Sequence, residues 1–187
     1  MAELLRAREP LGGLAATGAG VSLTPRSGLG LATVIARKGA GPALKDRARL
    51  LYELELPDGP ERASQGELAF IGVGPGLWLA VQDGGRDTLA GMLSRDLGGL
   101  ASISDQASAY VVIRLSGPQA RQTLAKRVAI DLHPRAFGPG DAAVTSFGLM
   151  NAVLWPVAEG YELAVSRSFA EDAWRGLVHD SAEFNAA

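Results

Sequence analysis

The sequence predicts an α+β fold in which helices pack on a mostly antiparallel sheet. Short apolar runs rich in β-branched residues alternate with stretches of helical period, as expected for mixed structure. Neighbouring apolar runs also flank tight turns, which is typical of hairpins. The order strand, helix, hairpin, helix occurs twice along the 187 residues. We therefore predict two duplicated β-α-β-β-α units.

The first unit is predicted over residues 29–100. Gly41-Pro42 opens its first helix, because the missing proline N–H costs no hydrogen bond in a first turn. Gly74-Pro75-Gly76 separates two short apolar runs and predicts a hairpin. The elements, in chain order, are a strand over 29–36, a helix from 41 to 54, a hairpin over 67–73 and 77–82, and a helix over 86–97.

The second unit, residues 101–187, repeats this order. A shift of 84 residues places Gly76 on Gly160 and the run 79–81 on 163–165, whereas the strand-to-helix corners match at a shift of 76. The difference between these two shifts falls in residues 130–140, a segment of the second half that has no counterpart in the first half. The elements are a strand over 110–115, a helix from 117 to 125, a hairpin over 144–156 and 161–165, and a final helix over 169–178.

The domain organisation follows from these two units. We predict a single globular domain over 29–187, built of two pseudo-repeated halves. Residues 1–28 are rich in Gly, Ala, Ser and Thr and have no sustained period. They are predicted to form an irregular N-terminal arm outside the core.

Composition excludes several classes of function. Eighteen Lys and Arg against 20 Asp and Glu leave a net charge of −2, too balanced to bind nucleic acid through counterion release. The absence of cysteine excludes disulfides and thiolate chemistry and fits a reducing compartment. The apolar runs are too short to span a bilayer. We expect a cytoplasmic protein that binds neither nucleic acid nor membrane.

No residue pattern indicates chemistry on this chain. The two histidines, His133 and His179, lie outside any nucleophile or metal-ligand motif. The glycine-rich segment 72–76 is similar to a phosphate loop in composition, but a strand follows it where a phosphate loop would open a helix. We therefore predict no catalytic, cofactor-binding or metal-binding residue.

The segment from Ile130 to Gly140 is the exception to this pattern. Prolines stiffen it, and a rigid loop with mixed polar and apolar side chains loses little entropy when it binds. One interpretation is that it docks on another protein. The other is that Asp131 and Arg135 only tie the loop to its own domain. The predicted interface residues are Leu132, His133, Arg135 and Phe137.

The same loop carries a family resemblance. With three neighbouring segments, in this order and spacing, it resembles the gamma subunit of heterotetrameric sarcosine oxidase. The similarity is strongest over about residues 100–187 and is weaker, though collinear, over 28–100. The segments are Leu-Ser-Gly-Pro at 115–118, Leu-Ala-Lys at 124–126, Ile-Asp-Leu-His-Pro-Arg-Ala-Phe at 130–137, and Ser-Arg-Ser-Phe-Ala-Glu at 166–171, followed by Trp174.

The resemblance implies a small, non-catalytic structural subunit that assembles with alpha, beta and delta subunits. Such a complex oxidises sarcosine to glycine and releases hydrogen peroxide and a one-carbon unit, as formaldehyde or methylene-tetrahydrofolate. The resemblance assigns FAD to beta, FMN to the contact between alpha and beta, NAD and tetrahydrofolate to alpha, and zinc to delta. It assigns no cofactor to this chain.

The implied fold is similar to the tetrahydrofolate-binding domain of the glycine-cleavage T protein, which is itself built of two related halves. That similarity agrees with the duplicated β-α-β-β-α units. No carboxylate of this sequence is matched to a folate site. The alternative function, of a different class, is a stand-alone folate-binding enzyme or chaperone of the T-protein type.

Overall fold

The structure is a computed structural model that describes residues 10–186. In this part of the chain, ten strands and four α-helices follow one another. The strands are β1 (Ser22–Arg26), β2 (Gly30–Ala36), β3 (Arg62–Gln65), β4 (Leu68–Gly74), β5 (Leu77–Gln82), β6 (Ala101–Asp105), β7 (Tyr110–Ser116), β8 (Ala143–Phe147), β9 (Met150–Val157) and β10 (Gly160–Ser166). The helices are α1 (Gly41–Tyr52), α2 (Leu89–Asp96), α3 (Ala120–Ala125) and α4 (Ala170–Asn185), and one turn of 3-10 helix, Arg167–Phe169, precedes α4.

The strands form two five-stranded sheets with antiparallel pairing throughout. The first sheet has the order β3-β4-β5-β2-β6, and the second has the order β1-β7-β10-β9-β8. The predicted α+β class is confirmed, and so is the hairpin around Gly74-Pro75-Gly76. The helices pack on two sheets and not on one.

The two sheets stack face to face between two layers of helices. Side chains alternate between the faces of a strand, so Leu31 and Leu79 point towards the second sheet and meet Val112 and Ala164 in a shared apolar layer. The opposite face of the first sheet packs on α1 and α2, and that of the second sheet packs on α3 and α4. The order of layers is helix, sheet, sheet, helix.

Each half of the chain contributes its first strand to the sheet of the other half. The strand β1 precedes β2 in sequence but pairs with β7, and β6 precedes β7 but pairs with β2. The corresponding sheets therefore have matching strand orders. The predicted halves and the two sheets do not coincide, because residues 101–105, at the start of the second half, belong to the first sheet.

The predicted irregular arm is also wrong where the structure describes it. Residues 22–26 form β1, and Leu11, Val21 and Leu23 are at most 2% exposed in the core of the second sheet. The strand is five residues long and contains Pro25, which the edge of a sheet tolerates. A strand of five residues has too few alternating apolar and polar positions for the sequence pattern to predict it. Residues 1–9 of the predicted arm lie outside the described residues.

The hairpins differ from the prediction in two ways. The run 144–156 contains two strands, because Gly148 adopts a φ of +60° in the turn between β8 and β9. A bulge between Gly72 and Gly74 also adds one residue to the first hairpin. The shift of 84 therefore holds for β4 and β9 but becomes 83 for β5 and β10. As a result, Leu79 faces the other sheet, whereas its predicted match Leu163 faces the helices.

Candidate functional site

The predicted docking loop lies between α3 and β8, and its apolar residues are buried in its own domain. Leu132 is 4% exposed and Phe137 is 5% exposed. The ring of Phe137 stacks on that of Tyr161, with the centroids 6.4 Å apart and the planes 10° from parallel. In the single chain, Leu132 and Phe137 therefore anchor the loop to the core of the second sheet. The hydrophobic effect favours their own core over solvent.

Residues 133–136 form an exposed tip of the loop, which includes His133 and Arg135. The Asp131 carboxylate accepts a hydrogen bond from the His133 N–H at 2.8 Å, and His133 Nδ1 accepts one from the Arg135 N–H at 3.2 Å. The His133 carbonyl accepts further bonds from the N–H groups of Ala136 and Phe137. These bonds hold the tip in one shape. Asp131 thus ties the loop to itself, whereas the Arg135 guanidinium has no ion-pair partner within residues 10–186.

A cleft of about 330 Å³ lies beside this loop, and we call it the proline cleft. The buried rings of Phe137 and Tyr161 line its base, and Arg121 lies next to them at the start of α3. The Arg121 Nε donates a hydrogen bond to the Tyr161 hydroxyl oxygen at 2.9 Å. The cleft therefore combines rigid walls with one oriented cation. Four prolines form those walls: Pro118, Pro134, Pro139 and Pro156.

A buried carboxylate lies between the two sheets, and no sequence motif predicted it. Glu162 on β10 is 4% exposed. Its Oε1 accepts hydrogen bonds from Arg114 Nε and Nη2, at 3.0 and 2.6 Å, and forms an ion pair with Arg26. Its Oε2 accepts a hydrogen bond from Trp155 Nε1 at 3.0 Å. Both carboxylate oxygens are satisfied within the chain, which burial of a charge requires.

This cluster connects the two sheets. Arg26 on β1 of the second sheet also pairs with Asp83, which directly follows β5 of the first sheet. Arg62 on β3 lies close enough to Glu162 and Asp83 for their charges to affect the pKa of its guanidinium. Its burial lowers the pKa of the guanidinium, and the charges of Glu162 and Asp83 oppose that change. A glutamate among the apolar residues of the run 161–165 is the signal in sequence that could have indicated this cluster.

A second buried carboxylate connects α4 to the residues that directly follow α3. Asp180 is 7% exposed, and its carboxylate pairs with Arg127, with one of the two contacts at 3.2 Å from Nη2. The Lys126 Nζ donates to the Asp180 carbonyl at 2.5 Å. The arrangement is that of a structural tie between two helices, since both charges are paired within the chain.

The other residues considered from sequence are exposed or belong to turns. His133 lies at the loop tip and His179 on the exposed face of α4, so the structure does not bring the two histidines together. The glycine-rich segment 72–76 forms the end of β4 and its turn into β5.

Within residues 10–186, no group of three or more His, Asp or Glu side chains is placed to hold a metal ion. No helix in the same residues has the length and apolar composition needed to cross a membrane.

Comparison with known proteins identifies the family. The model of the "Sarcosine oxidase, gamma subunit family" matches residues 37–183, which include the predicted docking loop and every described strand except β1 and β2. The chain belongs to the sarcosine oxidase gamma subunit family. The resemblance inferred from the motif at 130–137 is thereby confirmed.

Two curated members of the family are similar over part of their length. The sarcosine oxidase subunit gamma of Corynebacterium sp. (strain U-96) is 35% identical over 102 residues, which are 54% of this chain and 48% of that protein. The subunit gamma of Arthrobacter sp. is 35% identical over 118 residues, 62% of this chain and 58% of that protein. The chain thus spans about half the length of the curated relatives it matches.

Solved structures extend the similarity to the whole fold. A chain of the heterotetrameric sarcosine oxidase from Corynebacterium sp. U-96, in complex with pyrrole 2-carboxylate, matches with a TM-score of 0.83 and 26% identity over 97% of both chains. The glycine cleavage system aminomethyltransferase T from Bartonella henselae matches with a TM-score of 0.65 and 18% identity, over 88% of this chain and 47% of that one. The second match shows that the gamma subunit family shares its fold with half of the T protein.

Proposed function

We propose that this chain is the gamma subunit of a heterotetrameric, flavin-dependent sarcosine oxidase and that its role there is structural. The observation that carries this proposal is the match to a chain of a heterotetrameric sarcosine oxidase, which extends over 97% of both chains. Similarity over the full fold supports assembly in a complex of the same kind, with alpha, beta and delta subunits as partners.

The pairing of the buried charges supports a structural role. A group that transfers protons to a substrate must be reachable by that substrate. Glu162 and Asp180 are instead buried and paired with arginines of the same chain. We therefore assign both to stability and assign no catalytic step to this chain. In the complex, we infer that the exposed tip with His133 and Arg135 contacts a neighbouring subunit.

The complex as a whole would oxidise sarcosine to glycine and release hydrogen peroxide and a one-carbon unit. In this proposal FAD, FMN, NAD, tetrahydrofolate and zinc belong to the other subunits, as the family resemblance implies. The hairpin position of residues 72–76 supports this division, because a phosphate-binding turn leads from a strand into a helix. The lack of cysteine supports a cytoplasmic location.

Co-expression with the alpha, beta and delta subunits tests the proposal. We expect this chain to co-purify in equal amount with the other three, and we expect flavin absorbance in the complex but not in the chain purified alone. A control preparation without this chain should yield less assembled oxidase. Failure of the chain to co-purify, or stoichiometric binding of tetrahydrofolate by the chain alone, would favour the stand-alone T-protein-type function.

A variant separates a structural from a catalytic contribution. His133→Ala should leave flavin reduction by sarcosine within about threefold of the wild-type rate in the assembled complex. The reason is that an exposed side chain of a non-catalytic subunit makes no contact that forms only in the transition state. A loss of several orders of magnitude in an intact complex would contradict the structural role.

A further inference from the structure

Arg121 has unused hydrogen-bonding capacity at the base of the proline cleft. Its Nε is occupied by the Tyr161 hydroxyl. Its two Nη groups have no ion-pair partner among residues 10–186, and the residue is partly buried. A guanidinium whose Nε side is fixed presents its Nη groups in a defined direction, which suits a carboxylate.

The first half of the chain contains a matched cation that is already paired. The shift of 76 aligns Gly41-Pro42 with Gly117-Pro118 and the buried pair Leu44 and Ala48 with the buried pair Ala120 and Leu124. It also places Lys45 on Arg121. Lys45 forms an ion pair with Asp58 of its own half. At this position, therefore, the first half supplies its own carboxylate and the second half does not.

We propose that the proline cleft receives a carboxylate-bearing segment of another subunit, with the carboxylate bound by the Nη groups of Arg121. This inference rests on the proposed function, because it requires that the chain be part of a complex. The walls suit a protein segment, since proline-rich surfaces are rigid and lose little entropy when they bind. Charge complementarity selects Asp, Glu or a C-terminal carboxylate as the anchoring group.

A charge at the rim of the proline cleft restricts which segments can bind there. Glu159 lies in the exposed turn between β9 and β10 and lines the same cleft. Its negative charge disfavours a segment with several acidic residues, because like charges would face each other across the opening. The occupant we infer has one carboxylate for Arg121 and apolar neighbours that contact the prolines and the rings of Phe137 and Tyr161.

The first test compares two cation variants in the complex with alpha, beta and delta. Arg121→Gln should raise the dissociation constant of this chain about 10- to 100-fold, as expected when a charge-assisted hydrogen bond is lost. Lys45→Gln, at the matched position, should change it by less than threefold. Melting of the isolated variants gives the control, and Arg121→Gln should melt within about 2 °C of wild type. Equal effects of the two substitutions, or no effect of Arg121→Gln, would overturn the inference.

A second test does not depend on the affinity. Arg121→Lys introduces a primary amine into the cleft, and a carbodiimide reagent can join that amine to a carboxylate in contact with it. In the assembled complex we expect mass spectrometry to find a cross-link from position 121 to an Asp, Glu or C-terminus of another subunit. A cross-link to Glu159 of the same chain alone, or no cross-link at position 121, would overturn the inference.

The two proposals fail in different ways. If the wild-type chain does not co-purify with the other subunits, the proposed function fails. If the wild-type complex assembles but Arg121→Gln binds as tightly and position 121 yields no intersubunit cross-link, only the inference about the cleft fails.

Discussion

Glu162 on β10 lies directly opposite Arg114 on β7, and two nitrogens of this arginine donate to one carboxylate oxygen at 3.0 and 2.6 Å. The matched pair in the first sheet is Leu79 opposite Thr33. The two halves thus fill equivalent positions of the layer between the sheets with different chemistry. In the second half, an ion pair takes the place of a leucine opposite a threonine.

Removal of the Glu162 charge should destabilise the protein strongly. Glu162→Gln leaves Arg114 and Arg26 without their shared partner, and we expect a loss of about 3 kcal/mol in the free energy of unfolding, towards the low end of the range for a broken buried pair because Arg114 is partly exposed. Denaturant unfolding of the chain measures this loss. Asp172→Asn, in an exposed pair with Arg175, is the control and should cost less than about 1 kcal/mol. Similar losses in both variants would contradict the assignment.

Asn185 should hold the residues before β1 in place. Its Oδ1 accepts hydrogen bonds from the N–H groups of Gly20 and Val21 at 3.1 and 2.9 Å, and its Nδ2 donates to the Val21 carbonyl at 2.9 Å. Asn185→Ala should cost about 1–3 kcal/mol, because two buried N–H groups lose their acceptor. Amide hydrogen exchange at Gly20 and Val21 should accelerate. Asn151→Ala, on the exposed face of β9, is the control, and unchanged exchange at Gly20 would refute the role of Asn185.

Phe137 should contribute to the stability of the single chain. Its burial and its contact with Tyr161 predict that Phe137→Ala costs about 3–5 kcal/mol, the range for loss of a buried phenylalanine. Arg135→Ala removes an exposed side chain two residues away and should change stability by less than about 0.5 kcal/mol. Thermal or denaturant unfolding compares the two variants. A normal melt for Phe137→Ala would indicate that the ring serves an interface and not the core.

Tyr52 should make the stability fall at high pH. Its hydroxyl donates to Asp96 Oδ2 at 3.2 Å, and burial, followed by the nearby Asp96 charge, raises the pKa of Tyr52 above its ordinary value. The unfolded chain then ionises first as the pH rises through about 10, so it binds fewer protons than the folded chain. Stability is full below that pH and declines above it. In Tyr52→Phe, the decline measured by denaturant unfolding above pH 10 should be shallower. An identical slope in wild type and variant would contradict this.

Local signals in the sequence determined much of the fold. Gly74-Pro75-Gly76 fixes a hairpin because the turn and its two apolar runs are adjacent in the chain. The stripe Leu89, Leu93 and Leu97 predicts a helical segment whose buried face contacts the sheet, since residues three or four apart share one side of a helix. The four short motifs between residues 115 and 174 indicated the family from their sequence and spacing alone, and the family match confirms it.

The tertiary structure decided which strands pair and which side chains are buried. The strand β1 pairs with residues 112–116, about 90 positions away, and no local pattern encodes that partner. The single bulge residue between Gly72 and Gly74 moved the match of the two hairpins by one position, which exchanges the faces of a strand because side chains alternate with a period of two. Glu162 can be buried because Arg26 on β1 and Arg114 on β7 form ion pairs with its carboxylate. Sequence by itself thus determines the family and most helices and strands. The pairing of strands, the burial of side chains and the lack of an ion-pair partner for Arg121 among residues 10–186 depend on contacts between residues that are distant in the chain.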